Sequence, residues 1–299
     1  MGSSVASLNP SGFGLPCLVE VVGGHRSMRF IQHKREAYWF YRVLSPLYDR
    51  WVNPMFWTPA MRTAALELAR LDNRDLGVLD VGAGTGFSSE GIVEHVDAAC
   101  VTLLDQSPDQ LRRAGRKPAL ARCTRILGDA EQLPFETDSF DRYVSCGSIE
   151  YWPEPQRAIE EAYRVLRPGG IGLVVGPLPP EVPIVRRLAE AWMLFPTEAQ
   201  YREWFVRAGF EIAATAYVKA PWQDDGGAPY GLAIAGHKPV PGASPLASSS
   251  PAEDLSEPLT LAGRVGFGAR LALGSIAAAM FLPIGVALNL RARRAHRRP

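Results

Sequence analysis

The sequence has few cysteines and almost no net charge. Its four cysteines form no Cys-x-x-Cys pair; they are Cys17, Cys100, Cys123 and Cys146. This spacing predicts reduced, mostly buried thiols and no metal site. The 32 basic and 31 acidic residues leave a formal net charge of +1, so no bulk electrostatic attraction to nucleic acid is expected. The 299 residues suit one domain of roughly 200 residues with extensions.

Residues 78–86 read Val-Leu-Asp-Val-Gly-Ala-Gly-Thr-Gly and are the most informative stretch of the chain. The apolar residues around Asp80 predict the end of a buried parallel strand, and the alternating glycines predict a tight turn that leaves room for a ligand. Residues 87–96 have helical spacing. A strand, a glycine turn and a helix form the first half of a nucleotide-binding crevice in an α/β sheet.

The spacing of the glycines indicates which nucleotide is bound. A dinucleotide fingerprint needs a glycine at position 87, which is Phe87 in this chain. The G-x-G-x-G spacing resembles that of class I S-adenosylmethionine (SAM) methyltransferases. Further strands are predicted at 101–104, 125–127, 140–145 and 171–175, with a helix at 158–166. In this order the elements predict an α/β fold of that class, a Rossmann-like sheet with helices on both faces.

Candidate cofactor-binding residues follow from this pattern. Asp105 lies about 20 positions beyond the glycine turn, where an acid accepts hydrogen bonds from both ribose hydroxyls. The resemblance implies that Asp129 meets the adenine amino group. The predicted set is Asp80, Gly82, Gly84, Gly86, Asp105, Gln106, Asp129 and Ala130. In the alternative reading the three glycines form an ordinary strand-to-helix turn, Asp80 only caps the helix, and Asp105 and Asp129 are ordinary loop acids.

Three segments carry a more specific resemblance: residues 29–42, residues 144–156 around Gly-Ser-Ile-Glu-Tyr-Trp-Pro, and residues 191–196. Together they are similar to the plastid 2-methyl-6-phytyl-1,4-hydroquinone methyltransferases of plants and algae, which are inner-envelope membrane proteins. The similarity runs from about residue 29 to the end of the chain and does not cover residues 1–28. It implies C-methylation of prenylated quinol rings with SAM as cofactor. The implied substrates are 2-methyl-6-phytylhydroquinone, on the tocopherol route, and its solanesyl analogue, on the plastoquinone route.

The chain divides into four predicted segments. Residues 1–28 are poorly defined and resemble the remnant of a transit peptide. Residues 29–238 form the methyltransferase domain, and residues 239–263, rich in Pro, Ser and Ala, form a flexible linker. Residues 264–299 form a membrane anchor with a basic tail.

The predicted span of the anchor, residues 271–290, carries no charge and matches the hydrocarbon core in length. A soluble or interfacial helix is the alternative, although the segment has no polar face. Because more arginines follow the span than precede it, the positive-inside bias would place the tail on the stromal side. Together with the resemblance, the span predicts a single-pass protein of the plastid inner envelope.

Catalytic and substrate residues are less strongly indicated. Glu150 follows the fourth strand and is the first candidate for a general base, with His33 as a second. Glu150 would otherwise orient Arg157 or cap the following helix. Aromatic residues predicted to contact the prenylquinol are Trp39, Tyr41, Tyr151 and Trp192, and further candidate walls are Tyr48, Tyr201 and Trp204. Each of these aromatics would otherwise be part of the core.

The sequence is also compatible with other functions. The same fold and cofactor would serve methylation of another membrane lipid, such as a sterol or an ubiquinol-type ring. A non-catalytic SAM-binding membrane scaffold is a second alternative, and an NAD-dependent reductase, disfavoured by Phe87, is a third.

Overall fold

The computed structural model describes residues 57–219 and 229–245, together with the single positions 265, 268, 269 and 272. Within these residues one sheet has seven strands in the order β3-β2-β1-β4-β5-β7-β6. The strands are β1 Val78–Val81, β2 Val101–Asp105, β3 Thr124–Leu127, β4 Phe140–Cys146, β5 Leu166–Pro177, β6 Glu211–Val218 and β7 Gly231–His237. Strands β1 to β5 pair in parallel, whereas β7 is antiparallel to both β5 and β6.

Helices connect these strands. The described α-helices are α1 Pro59–Leu66, α2 Phe87–Ile92, α3 Pro108–Ala114, α4 Pro155–Val165, α5 Pro183–Trp192 and α6 Glu198–Ala208. Short 3₁₀ helices cover Glu67–Ala69, Ala98–Cys100, Pro118–Leu120 and Ile149–Tyr151. Local sequence explains several starts: Ser107 and Thr197 accept hydrogen bonds from the first turns of α3 and α6, and proline occupies the first turn of α3 and α4.

The central strands are buried on both faces, as expected for a parallel sheet covered by helices. On β1, Val78 packs in one core cluster, while Leu79 and Val81 pack in the other. The alternating side chains of one strand therefore supply two cores. This arrangement confirms the predicted α/β sheet with helices on both faces.

Three predicted elements differ from the observed ones by more than one residue at an end. The helix expected at 87–96 ends at Ile92, and the helix expected at 158–166 begins earlier, at Pro155. The strand expected at 171–175 extends from Leu166 to Pro177, because the Arg-Pro-Gly-Gly segment continues the strand after a register shift against β4.

Residues 239–245 are held on the domain, although the sequence places them in a linker. The ammonium of Lys238 is fully buried and donates to Asp138 Oδ1 at 2.5 Å and to the Gly242 carbonyl at 2.6 Å. The Gly242 N–H donates in turn to Asp138 Oδ2 at 3.0 Å. The domain thus extends at least to Pro245, because a buried cation takes its acceptors from this segment.

Most of the predicted termini lie outside the described residues. These include residues 1–56 and nearly all of the span 271–290, in which only position 272 is described. Among the described residues, no helix has the length and apolar character needed to cross a membrane.

Candidate active site

A cleft opens at the carboxyl edge of the parallel strands, where ligands bind in open α/β sheets. The glycine turn after β1 forms its floor. The loops after β2, β3 and β4 form one wall, and the facing ends of β5 and β7 form another. Of the predicted cofactor residues, the cleft is lined by Gly82, Gly84, Asp105, Gln106, Asp129 and Ala130.

The glycine turn presents backbone to this cleft. Gly82 and Gly84 have φ values of 68° and 56°, which side-chain-bearing residues rarely adopt. A Cβ atom on Gly84 would meet no protein atom within 4 Å, so the space beside it belongs to the cleft. The N–H groups of Gly82 and Ala83 both donate to the Leu104 carbonyl, at 2.9 and 3.1 Å, and fix the turn on β2.

Asp105 at the end of β2 is joined to the glycine turn. Its Oδ2 accepts from the Gly84 N–H and its Oδ1 from the Ser107 N–H, both at 2.8 Å. Burial raises the pKa of this carboxyl to about 6, against the lowering effect of these two hydrogen bonds. Each oxygen keeps further acceptor capacity toward the cleft, as a ribose diol requires.

Hydrogen bonds within the loop after β3, and from this loop to the start of α4, hold it in place. Asp129 Oδ1 accepts from the Glu131 N–H at 3.0 Å. The buried Glu131 side chain accepts from the Glu154 N–H at 2.8 Å, and its carbonyl accepts from Arg157 Nε at 2.9 Å. Asp129 and Ala130 are therefore held at the cleft by the start of α4.

Asp80 and Gly86 lie behind the lining and not on it. Asp80 is fully buried; its Oδ2 accepts from Ser89 Oγ at 2.6 Å, and its Oδ1 has no hydrogen-bond partner. Burial raises the pKa of this carboxyl to about 7. Gly86 begins α2 with a φ of 82°, and a Cβ there would overlap Leu120 in the core. These two residues therefore support the glycine turn from its core side.

Glu150 lies in the 3₁₀ helix after β4, lines the cleft and is 9 % exposed. Its buried Oε2 has no hydrogen-bond partner, and burial raises the pKa of the carboxyl to about 7. Its carbonyl accepts from the Leu194 N–H at 3.0 Å. The alternative role as a helix cap is wrong, since α4 has Glu154 at its N-cap.

The structure places some of the aromatic residues predicted to contact substrate at the cleft and others in the core. Tyr151 lines the cleft. Tyr201 does not: it is fully buried in the core and donates to the Pro177 carbonyl at 3.2 Å. Trp204 packs edge-on against the Tyr201 ring, with centroids 5.9 Å apart, and is not a cleft wall either. Outside the described residues lie Trp39, Tyr41, Tyr48, His33 and the side chain of Trp192.

Several cleft residues were not predicted. Trp57 lines the cleft from before α1, and its indole Nε1 is buried without a hydrogen-bond partner. Tyr230 lines it from the start of β7, and Ser148 from the turn before Glu150. Trp57 and Tyr230 are distant in sequence from every recognised motif, so only the fold brings them here. Ser148 lies within residues 144–156, and its position two residues before Glu150 is a signal in the sequence that could have indicated it.

No group of His, Cys, Asp or Glu residues suited to a metal ion occurs in the described part of the chain. Cys100, Cys123 and Cys146 are free thiols. Cys146 lines the cleft, and burial raises the pKa of its thiol, which keeps it protonated.

The chain is similar in sequence to known methyltransferases. A methyltransferase-domain family model matches residues 79–174. The chain is 49% identical over 261 residues to 2-methyl-6-phytyl-1,4-hydroquinone methyltransferase 2, chloroplastic, of Oryza sativa subsp. japonica, covering 86% of this chain and 74% of that protein. It is equally identical over 261 residues to the chloroplastic enzyme of that name from Arabidopsis thaliana, covering 86% and 77%.

A solved structure shares the fold. The complex between the Haloferax volcanii Trm112 methyltransferase activator and a methyltransferase contains a chain with a TM-score of 0.54 and 22% sequence identity. The match covers 70% of this chain and 98% of that chain.

Proposed function

The chain belongs to the family of 2-methyl-6-phytyl-1,4-hydroquinone methyltransferases, and from this premise we propose that it methylates a ring carbon of prenylated hydroquinones. It is a SAM-dependent methyltransferase. The proposed acceptors are 2-methyl-6-phytylhydroquinone and its solanesyl analogue, in tocopherol and plastoquinone synthesis. The observation that carries the proposal is 49% identity over most of the chain to enzymes named for this substrate.

The described residues fit the cofactor. The open space beside Gly84 admits a ligand against the backbone. Asp105, with Gln106 beside it, is proposed to accept hydrogen bonds from the ribose hydroxyls, and Asp129 with Ala130 to bound the adenine. Asp80 and Gly86 support the turn without facing the cleft. When bound, SAM supplies an electrophilic methyl group.

Glu150 is the proposed general base. A quinol ring becomes far more nucleophilic when a hydroxyl loses its proton, and a base is most effective when its pKa lies near the working pH. Glu150 meets that condition, since burial raises the pKa of its carboxyl to about 7. Glu150 would accept the hydroxyl proton as the ring carbon bonds to the methyl group, whose bond to sulfur would break and leave a neutral thioether. Loss of the hydrogen on that ring carbon as a proton would then restore the aromatic ring. Tyr151 is proposed to pack against the ring. Trp39, Tyr41 and Trp192 remain proposed substrate contacts.

Radiolabelled SAM tests the function directly. The purified full chain in detergent is incubated with labelled SAM and one acceptor at a time: the phytyl quinol, the solanesyl quinol, a sterol or an ubiquinol-type ring. Label on the phytyl or solanesyl ring is expected. Label only on the sterol or on the ubiquinol-type ring would replace the substrate assignment. SAM binding without turnover of any lipid would favour the scaffold alternative.

The relatives are named chloroplastic, which supports a plastid location. We further propose that residues 271–290 anchor the protein in the inner envelope, because they are uncharged and long enough to span. Deleting residues 271–299 should release the protein from membranes and leave SAM binding intact. Continued sedimentation of the truncated protein with membranes would place the anchor elsewhere, for example in residues 28–41.

A further inference from the structure

The carboxyl of Glu150, a residue that lines the cleft, has one oxygen without a hydrogen-bond donor. Glu150 lines the cleft, its side chain is more than nine-tenths buried, and its Oε2 has no donor. No salt bridge to this carboxyl occurs among the described residues. An unpartnered buried acceptor is costly, so a ligand that brings a donor is favoured here. The terminal torsion of a glutamate turns easily, so either oxygen can meet that donor.

The two redox forms of the acceptor ring differ in what they offer this carboxyl. A hydroquinone carries two hydroxyl groups, each of which can donate a hydrogen bond. The corresponding quinone, which has lost two electrons and two protons, carries two carbonyl oxygens that only accept. An ionised carboxylate is itself acceptor-only, so it binds a hydroxyl and repels a carbonyl.

We propose that Glu150 makes the cleft selective for the reduced ring by accepting a hydroxyl hydrogen bond that the oxidised quinone cannot donate. This inference rests on the proposed function, because it takes the acceptor to be a quinol. It adds rejection of the oxidised form, which the role of a base does not require. Sites built to hydrogen-bond a substrate hydroxyl reject analogues that lack it strongly.

The charge of the carboxyl supports the proposal. Burial raises the pKa of Glu150 to about 7, against the lowering effect of a hydrogen bond from its own backbone N–H, so the empty cleft holds a mixture of protonated and ionised forms. A sulfonium cation bound in the same cleft favours the ionised form, because an opposite charge nearby lowers a carboxyl pKa. Selectivity for the quinol is therefore expected to be greatest with SAM bound.

Glu131 provides a matched control. It is a second buried glutamate that lines the same cleft, but its Oε1 already accepts from the Glu154 N–H at 2.8 Å. Glu150→Gln introduces an amide N–H₂ that can donate to a quinone carbonyl. Glu131→Gln makes the same chemical change where a backbone group is already bound.

The test measures binding of one ring in its two redox states. Tetramethyl-1,4-benzoquinone and its hydroquinone have no free ring carbon, so neither is methylated nor adds to the Cys146 thiol. Their dissociation constants are measured anaerobically by calorimetry with SAM-saturated full-length protein. The ratio of the two constants cancels the effect of the extra methyl groups. The wild type should prefer the hydroquinone by about tenfold or more, since hydrogen bonds to charged groups are among the strong ones.

The two variants show whether the preference for the hydroquinone depends on Glu150. Glu150→Gln should bring the ratio close to one, chiefly by tighter quinone binding, and Glu131→Gln should leave it at the wild-type value. Equal binding of both rings by the wild type, binding of neither, or an equal change in both variants would overturn the proposal. Loss of methyl transfer in Glu150→Gln with an unchanged ratio would leave only the base role. A change in the ratio without any quinol methylation by the wild type would instead count against the proposed function.

Discussion

The side chain of Ser148 occupies the space that a Cβ atom on Gly82 would need. The two residues belong to the loops that follow β4 and β1. Because Gly82 has no side chain, the turn that carries Glu150 can lie against the glycine turn that forms the floor of the cleft. Ser148 Oγ is in turn hydrogen-bonded to Ser145 Oγ at 2.5 Å. The turn that carries Glu150 is thereby fixed against the glycine turn.

Gly82→Ala is expected to destabilise the fold and to displace the Glu150 turn. Overpacking against Ser148 costs typically about 1–3 kcal/mol, and a left-handed φ adds about 1–2 kcal/mol. Urea unfolding measures the loss. Gly169→Ala is the control, because Gly169 has a φ of 78° but open space around it; a loss no larger than in this control would show that Ser148 yields freely.

Gly84→Ala is expected to weaken SAM binding while the protein stays folded. The new methyl group meets no protein atom but projects into the cleft, so it competes with the ligand. Calorimetry of SAM binding, beside urea unfolding, separates the two effects. Gly169→Ala should show a similar loss of stability with unchanged SAM affinity; equal affinities in both variants would mean that the cofactor does not approach Gly84.

Asp105→Ala should lower SAM affinity, because ribose hydroxyls buried without acceptors cost about 1–3 kcal/mol. The wild-type affinity should also decline as the pH falls through about 6, where the carboxyl of Asp105 takes up a proton and becomes a weaker acceptor. Calorimetry from pH 5 to pH 8 follows both effects. A pH-independent affinity, or an unchanged one in Asp105→Ala, would remove the ribose role from this residue.

Asp80 should make the cofactor-free protein more stable in mild acid. The folded-state pKa of Asp80 is about 7, above its ordinary 3.8, so the folded protein holds a proton that the unfolded chain releases. The contribution is fully present below about pH 4 and is lost as the pH rises through about 7, by at most about 1.4 kcal/mol per pH unit. Urea unfolding at several pH values should show a shallower decline in Asp80→Asn; parallel profiles would contradict the assignment.

Lys238→Met should destabilise the domain and leave SAM binding unchanged. It removes the donor to Asp138 and Gly242 at the edge opposite the cleft. Because Asp138 stays partly exposed, the loss should be about 2 kcal/mol, below the range for fully buried pairs. Urea unfolding measures it, and adding Asp138→Asn should recover part of it. Reduced SAM affinity would indicate coupling across the sheet.

Elements with a strong local pattern could be predicted from the sequence. The apolar run, the alternating glycines and Asp105 belong to one continuous strand-turn-helix-strand unit. The pattern of this unit predicts both the parallel sheet and the position of the cleft. The helix predicted to begin at Ala158 begins at Pro155, a start that the sequence itself indicates because proline favours the first turn of a helix.

Long-range packing could not be predicted from the same patterns. Tyr201 and Trp204 are aromatic, as the wall of a prenyl-binding pocket would be, but their positions on α6 direct both side chains toward the core. Trp57 and Tyr230 reach the cleft from distant parts of the chain. Lys238 reads as the last charge before a Pro-rich linker, and only the buried position of its ammonium shows that the following residues belong to the domain.

The antiparallel direction of β7 determines where the chain leaves the domain. Gly231 begins β7 beside Pro177 at the cleft, and His237 ends it beside Ile171 at the opposite edge. The described domain therefore ends, at Pro245, on the side opposite the cleft. If residues 271–290 anchor the protein as proposed, the length of residues 246–270, at no more than about 3.5 Å each, would limit the distance between the anchor and the domain. In an anchored protein, shortening this segment would bring the membrane nearer to the side of the domain that lies away from the cleft, without altering any residue of the cleft.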